Sequence, residues 1–213
     1  MAGKKTAGAK MGRPKGSSKE DTLARLMPEA RRQFADKGYA QTTFKDIGKA
    51  LGVSHAALYS YFPAKKELYL ATVADAQALL LPYYLEALEA GGSLKSRISH
   101  ILLATAREHD RDSSITGLLA AVPIEIRRHP ELYEALIDEN NVLMRALEDI
   151  FEQAKRSGEI AVDASAQDLV AALLGGGVGV ALFQYGLQRP DLSATMAVFV
   201  ALIEGRLFSR NGS

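Results

Sequence analysis

Apolar residues recur at intervals of three and four along nearly the whole chain, the spacing of one face of a helix. The first stripe is Leu23, Leu26, Met27, Ala30 and Phe34, opened by Ser17 and Glu20 at capping-box spacing and closed at Lys37-Gly38. Pro28 falls inside it, so either the helix kinks there or its continuous part begins with Pro28 in the first turn. A short helix is predicted from Thr43 to Leu51, with Thr43 as N-cap, Asp46 three residues on, and Phe44, Ile47 and Leu51 on one face. Gly52-Val53 breaks it, and Ser54 caps a further helix to Tyr61, whose inner face is Leu58 and Phe62. Phe62-Pro63-Ala64 stops that helix, because proline biases its predecessor away from helical backbone. A long amphipathic helix follows from about Ala64 to Leu81, where Pro82 is expected to bend or end it.

The remainder reads as helices over Leu94–His109, Ser114–Arg128, Pro130–Arg156, Ala166–Leu187 and Ser193–Arg210. Gly91-Gly92, His129-Pro130, Ser157-Gly158 and Arg189-Pro190 separate them. No window alternates apolar and polar over strand lengths, and no repeat recurs at 20 to 50 residues, so the expected class is all-α.

Composition sharpens this picture in two places. The 213 residues contain no cysteine, which excludes disulfides, thiolate metal sites and cysteine nucleophiles. The net charge of +1 conceals a division: residues 1–67 carry 14 Lys/Arg and 6 Asp/Glu, whereas residues 68–213 carry 12 and 19. A head of +8 is therefore joined to a body of −7, an asymmetry that points toward nucleic acid or an anionic surface as partner of the head. The first 19 residues hold Lys4, Lys5, Lys10, Arg13, Lys15 and Lys19 and no acid, and read as a flexible basic arm. No apolar stretch follows them, so a signal peptide is not expected. The longest uncharged apolar run, Leu169 to Phe183, is 15 residues with four glycines, short of the roughly 20 that span a bilayer. A cytoplasmic protein without membrane contact is expected.

Two short helices joined around a glycine, Thr43–Leu51 and Ser54–Tyr61, have helix-turn-helix form. The first would brace across a DNA backbone while the second presents Ser54, His55, Ala56, Tyr59 and Ser60 to the major groove; none of these is acidic. The run Phe34-Ala35-Asp36-Lys37-Gly38-Tyr39, Thr42-Thr43, Ile47, Leu51-Gly52-Val53-Ser54, Leu58-Tyr59-Ser60-Tyr61-Phe62 and Lys65 to Leu68 resembles the DNA-binding domain of the TetR/AcrR family of bacterial transcriptional repressors. The resemblance runs from Phe34 to Leu68, with about eight features in order. It implies phosphate contacts from Thr43, with Lys45 on the same exposed turn, base contacts from His55, Ala56 and Ala57, a backbone contact from Tyr59, and a phosphate contact from Lys65. Lys65 also adds its charge to a helix N-terminus that already favours anions. Gly48 departs from the alanine usual in the family, a helix-propensity cost of roughly 1 kcal/mol, and Pro28 and Gln33 interrupt the apolar first helix. Gly12-Arg13-Pro14 resembles minor-groove hook peptides, so Arg13 is either a groove reader or part of a solvated tail.

The same resemblance implies three parts: an arm at 1–17, a DNA-binding domain at 18–67, and a ligand-binding and dimerisation domain at 68–213, about nine helices in all. Ile98, Leu102, Leu119, Val122, Ile126, Met144, Leu147 and Phe151 either fill a bundle core or wall a cavity suited to a lipophilic effector. Gly175, Val178, Gly179 and Leu182, with Met196, Phe199, Val200 and Ile203, look like the family's two-helix dimer face; the alternative is an intramolecular seam or a partly broken helix. Of the four histidines, His129 stands at i+4 from Glu125, which reads as a surface pair, and no hydrolase, metalloprotease or phosphate-loop motif occurs. Neither catalysis, metal nor cofactor is expected. The sequence thus describes a homodimeric, ligand-responsive transcriptional repressor on a pseudo-palindromic DNA operator, released when a small effector tilts the helix that starts near Ala64. The alternative is an effector-independent, weakly specific architectural DNA-binding protein.

Overall fold

The computed structural model describes residues 19–136 and 142–208, and among these it is helical with no strand. The basic arm with Arg13, and the capping residue Ser17, lie outside the described residues. The helices are α1 (Lys19–Gln41), α2 (Phe44–Leu51), α3 (His55–Tyr59), α4 (Lys65–Glu89), α5 (Leu94–Arg111), α6 (Ser114–Arg128), α7 (Tyr133–Leu136), α8 (Val142–Arg156), α9 (Ala166–Gly186) and α10 (Leu192–Ile203).

Neither Pro28 nor Pro82 ends the helix that holds it. Helix α1 passes through Pro28 with helical backbone, and α4 continues through Pro82 for seven further residues to Glu89. A proline removes one hydrogen bond and crowds one carbonyl; packing of the flanking turns outweighs that loss here. The actual break in α1 is Gly38, at φ 77° and ψ 173°, a conformation essentially confined to glycine. The Thr42 hydroxyl, fully buried, then donates to the carbonyls of Gln33 (3.0 Å) and Gly38 (2.9 Å), binding the turn after the break to the helix before it.

Other boundaries shift as well. The second short helix ends at Tyr59 rather than Tyr61. The expected single helix Pro130–Arg156 begins as a 3-10 turn at Pro130–Leu132, followed by α7 and, beyond residues 137–141, by α8. The last helix stops at Ile203, and Gly205 at φ 71° turns the chain away. Helix α9 is unbroken over 21 residues and, by length and composition, is long and apolar enough to cross a membrane, which corrects the shorter run counted along the sequence.

One continuous core joins head and body. Helix α1 lies on both α4 and α6, α2 packs on α1, and α3 on α2. Helix α9 packs against α6, α8 and α10, while α5 lies between α4 and α10. Phe34 and Tyr39 each meet Tyr69 of α4 edge to face, with Phe34 and Tyr69 centroids 4.9 Å apart, and Tyr39 carries the cluster on to His129 at 4.9 Å. Such ring pairs add about 0.5–1.5 kcal/mol each beyond their buried area.

Candidate nucleic-acid interface and effector cavity

The helix-turn-helix is assembled by its caps. Thr43 Oγ1 accepts from the Asp46 N–H at 3.2 Å and donates to Asp46 Oδ2 at 2.9 Å. That hydroxyl bond, with Lys37 and Lys45 nearby, holds the Asp46 carboxyl below its ordinary range against a small opposing effect of burial. Ser54 Oγ accepts from the Ala57 N–H at 3.2 Å, and Gly52, in left-handed backbone, closes α2. Between them Gly48 is required by space: a Cβ there would stand 2.8 Å from the Val53 carbonyl oxygen and 3.3 Å from the His55 nitrogen. The glycine that departs from the family pattern thus lets α2 and the start of α3 meet backbone to backbone.

Inward, Ile47 and Leu58 are fully buried and Phe44 nearly so. Outward, Thr43, Lys45, His55, Ala56, Tyr59 and Ser60 are exposed, with Ser54, Ala57 and Lys65 half-buried at the margin. The Tyr59 ring stands edge-on to Phe44 at 4.4 Å, so it is held while remaining 52% exposed. Ser60 Oγ donates to the Ala57 carbonyl at 2.6 Å. Lys65 turns toward its own head: its Nζ donates to the Ala40 carbonyl at 2.9 Å and lies 4.6 Å from the Tyr39 ring centroid. Partial burial draws its pKa down, opposed by the Glu125 carboxylate. The described DNA-contact candidates thus fall on the cap and first turn of α2, on α3 with its cap residues, and on the first residue of α4.

The head is fastened to α6 at both ends of that helix. At its start the buried Arg31 reaches Asp75 Oδ2 and Asp112 Oδ2, each at 2.8 Å, and Ser114 Oγ at 3.2 Å. Burial raises the Asp112 pKa, but hydrogen bonds from Ser114 and the Arg31 guanidinium outweigh it and hold the carboxyl below its ordinary value. At the far end Glu125 Oε1 accepts from the Tyr39 N–H at 3.3 Å, beside His129 at 3.7 Å. Glu125 is 6% exposed, which corrects its reading as half of a surface pair. The sequence carries only a faint signal for either: Arg31 adjoins the Met27, Ala30, Phe34 stripe, and Glu125 shares α6 with residues that reach the core.

Within the body a mostly apolar cavity of about 80 Å³ lies between α4, α5, α6, α9 and α10. Of the expected wall residues, Leu102 and Leu119 line it, together with Val178 and Met196, which the sequence had assigned to the dimer face. Leu80, Tyr84, Ile101, Thr105, Ile115, Thr116, Leu173 and Leu174 complete much of the wall. Burial pushes the Tyr84 phenol up to about 12, so it stays protonated. Ile98, Leu147 and Phe151 are buried in the core away from the cavity, while Val122, Ile126 and Met144 pack partly buried against it.

On the outer side, Gly175, Val178, Gly179 and Leu182 share an exposed stripe of α9, joined by Phe183 at 64% exposure. The α10 residues divide differently: Met196 and Val200 are buried in the chain's own core, Phe199 and Ile203 are half-buried, and Val198 and Leu202 are the exposed ones. Nearly every position of α10 is apolar, so periodicity could not select its outer face. Part of the glycine run is an intramolecular seam, since Cβ atoms at Gly176 and Gly177 would meet Phe199 and Leu102, whereas Gly175 and Gly179 face open space.

Comparison with known proteins agrees with this architecture. Residues 26–72, which span the helix-turn-helix and the start of α4, match the family profile described as bacterial regulatory proteins, tetR family. The HTH-type transcriptional regulator YezE of Bacillus subtilis (strain 168) is 27% identical over 148 residues, 68% of this chain and 76% of that protein. Among solved structures, Salmonella enterica GusR is 26% identical with a TM-score of 0.66, covering 91% of this chain and 99% of GusR. Bacillus subtilis FadR in complex with stearoyl-CoA superposes with a TM-score of 0.70 at 17% identity over 87% of this chain and all of that one, a likeness of fold. With its paired caps, the buried Ile47 and Leu58, and the outward Thr43, His55 and Tyr59, the matched segment 26–72 is a helix-turn-helix segment of the tetR family of bacterial regulatory proteins.

Proposed function

We propose that the protein works as a homodimeric, ligand-responsive transcriptional repressor that binds a pseudo-palindromic operator. The observation that carries this reading is the division of α3, which buries Leu58 and turns His55, Ala56 and Tyr59 outward from a head bearing the chain's excess of positive charge. A helix anchored on one side with small and hydrogen-bonding residues on the other is suited to a major groove. His55, Ala56 and Ala57 are assigned to bases, Thr43, Lys45, Tyr59 and Lys65 to the DNA backbone, and Ser54 and Ser60 to the groove-facing side of α3. For Lys65 this requires exchanging the Ala40 carbonyl for a phosphate.

The open stripe of α9 and the exposed side of α10 serve as the dimer face, and twofold pairing there sets two heads on successive grooves. The cavity suits a small apolar effector, in keeping with a fold that in FadR accompanies stearoyl-CoA. An effector releases DNA only by preferring the DNA-incompetent arrangement. Residues 18–67 thus act as the DNA-binding part and residues 68–213 as the sensing and pairing part, in the cytoplasm. Selection of bound duplexes from random DNA with the full chain tests the reading. A twofold sequence with half-sites about one helical turn apart is expected; recovery of no shared sequence at moderate salt overturns it.

A further inference from the structure

Helix α9 does more than offer an outer face. Tyr185, one turn beyond the cavity residue Ala181, donates its hydroxyl to Asp36 Oδ1 at 3.0 Å, joining α9 to the last turns of α1 across 149 residues of sequence. Its ring packs on α6 where Gly117 leaves room: a Cβ at that position would stand 2.5 Å from Tyr185 Cζ and 2.7 Å from its oxygen. Gly117 adjoins Thr116, which lines the cavity, so one side chain touches the sensing helix, the pairing helix and the DNA-binding head. Burial first, and then the bond to Asp36, raise the phenol to about 12, so it remains a donor at any physiological pH. No other α9 side chain forms a hydrogen bond to the head among the described residues.

From this geometry we infer that Tyr185 is a positioning residue for DNA recognition, a strut that fixes the angle of the head against the dimer helix and so sets which half-site spacing the dimer accepts. The inference rests on the proposed dimeric, DNA-binding function. Were the strut loosened, each head would still read its half-site, but the distance between heads would be held less tightly. The predicted signature is therefore a relaxed spacing preference together with weaker binding, not a changed base preference.

The test uses the full chain and duplexes recovered by selection, rebuilt with half-site spacing increased or decreased by one and two base pairs. Tyr185→Phe keeps the ring and changes no charge. Loss of one such bond is expected to weaken the best operator about three- to tenfold and to flatten the ranking of the spacing variants, with base preference unchanged. Gly117→Ala, which drives a methyl into the ring, should give at least the same loss. Tyr185→Phe keeps the question decidable if the alanine variant fails to fold. Wild-type affinity and wild-type spacing preference in folded, dimeric Tyr185→Phe overturn the strut. Failure of the unaltered chain to recover any sequence overturns the DNA-binding reading instead, and the strut falls with it.

Discussion

The two ends of α6 fasten the same head by different physics. At Ser114 the fastening is ionic: one guanidinium, 5% exposed at its side chain, is shared by two carboxylates that keep more than a third of their surface in water. At Glu125 it is a single carboxylate on one backbone N–H, possible only because Gly38 brings the backbone within reach. A buried cation is costly to leave unpaired and works as a lock, whereas a lone bond beside a left-handed residue depends on local shape. The ionic end fixes where α1 lies; the other end fixes how the chain turns from α1 toward the helix-turn-helix.

Replacing the cation should produce the largest effect. Arg31→Met leaves Asp75 and Asp112 without their shared partner, and a loss of about 3 kcal/mol is expected, the lower part of the range for broken buried pairs because both carboxylates reach solvent. The midpoint of urea unfolding measures it, and an unchanged midpoint would show that the ionic end holds nothing. Next comes Gly38→Ala, where the backbone conformation and a Cβ placed 2.7 Å from Glu125 Oε1 together predict about 2 kcal/mol. If it equalled Arg31→Met, the two ends would not differ in kind.

The smallest expected effect is that of acid at the ionic end. His109, three residues before Asp112, is buried, and burial lowers its pKa below the ordinary 6.5, so the unfolded chain takes up its proton first and stability declines as pH falls below about 6.5. Asp112 follows: its lowered pKa contributes stability above the ordinary carboxylate value of 3.8, which is lost as pH drops through the still lower folded value. His109→Gln should remove the earlier decline and leave the later one. A single decline unaffected by that substitution would refute the assignment.

Much of this arrangement was legible before any coordinates. The caps Thr43 and Ser54 and the stop at Gly52 are local chemistry, and sequence reports local chemistry well. What it hid were features made by two distant segments at once. Glu125 looks like any surface acid until α1 is laid across it, and Tyr185 reads as one more residue at the end of an apolar helix. The cavity misled for the same reason, because five helices enclose it and only Leu102 and Leu119 among its expected wall residues face it. Pro28 and Pro82 show the converse, a local stop signal that does not end either helix.

The length and apolarity of α9 also matter to the newly made chain. An 18-residue window of this 21-residue helix has a mean hydropathy of 1.6 and is only 28% buried, so the newly made chain carries a long apolar segment that folding alone covers incompletely. Its glycines and the Gln184 amide, bonded to Thr195 at 2.8 Å, lower its worth as a lipid-facing segment. In the proposed dimer, concentration would guard the fate of this helix: the sooner the second copy covers the stripe, the shorter its exposure to quality control.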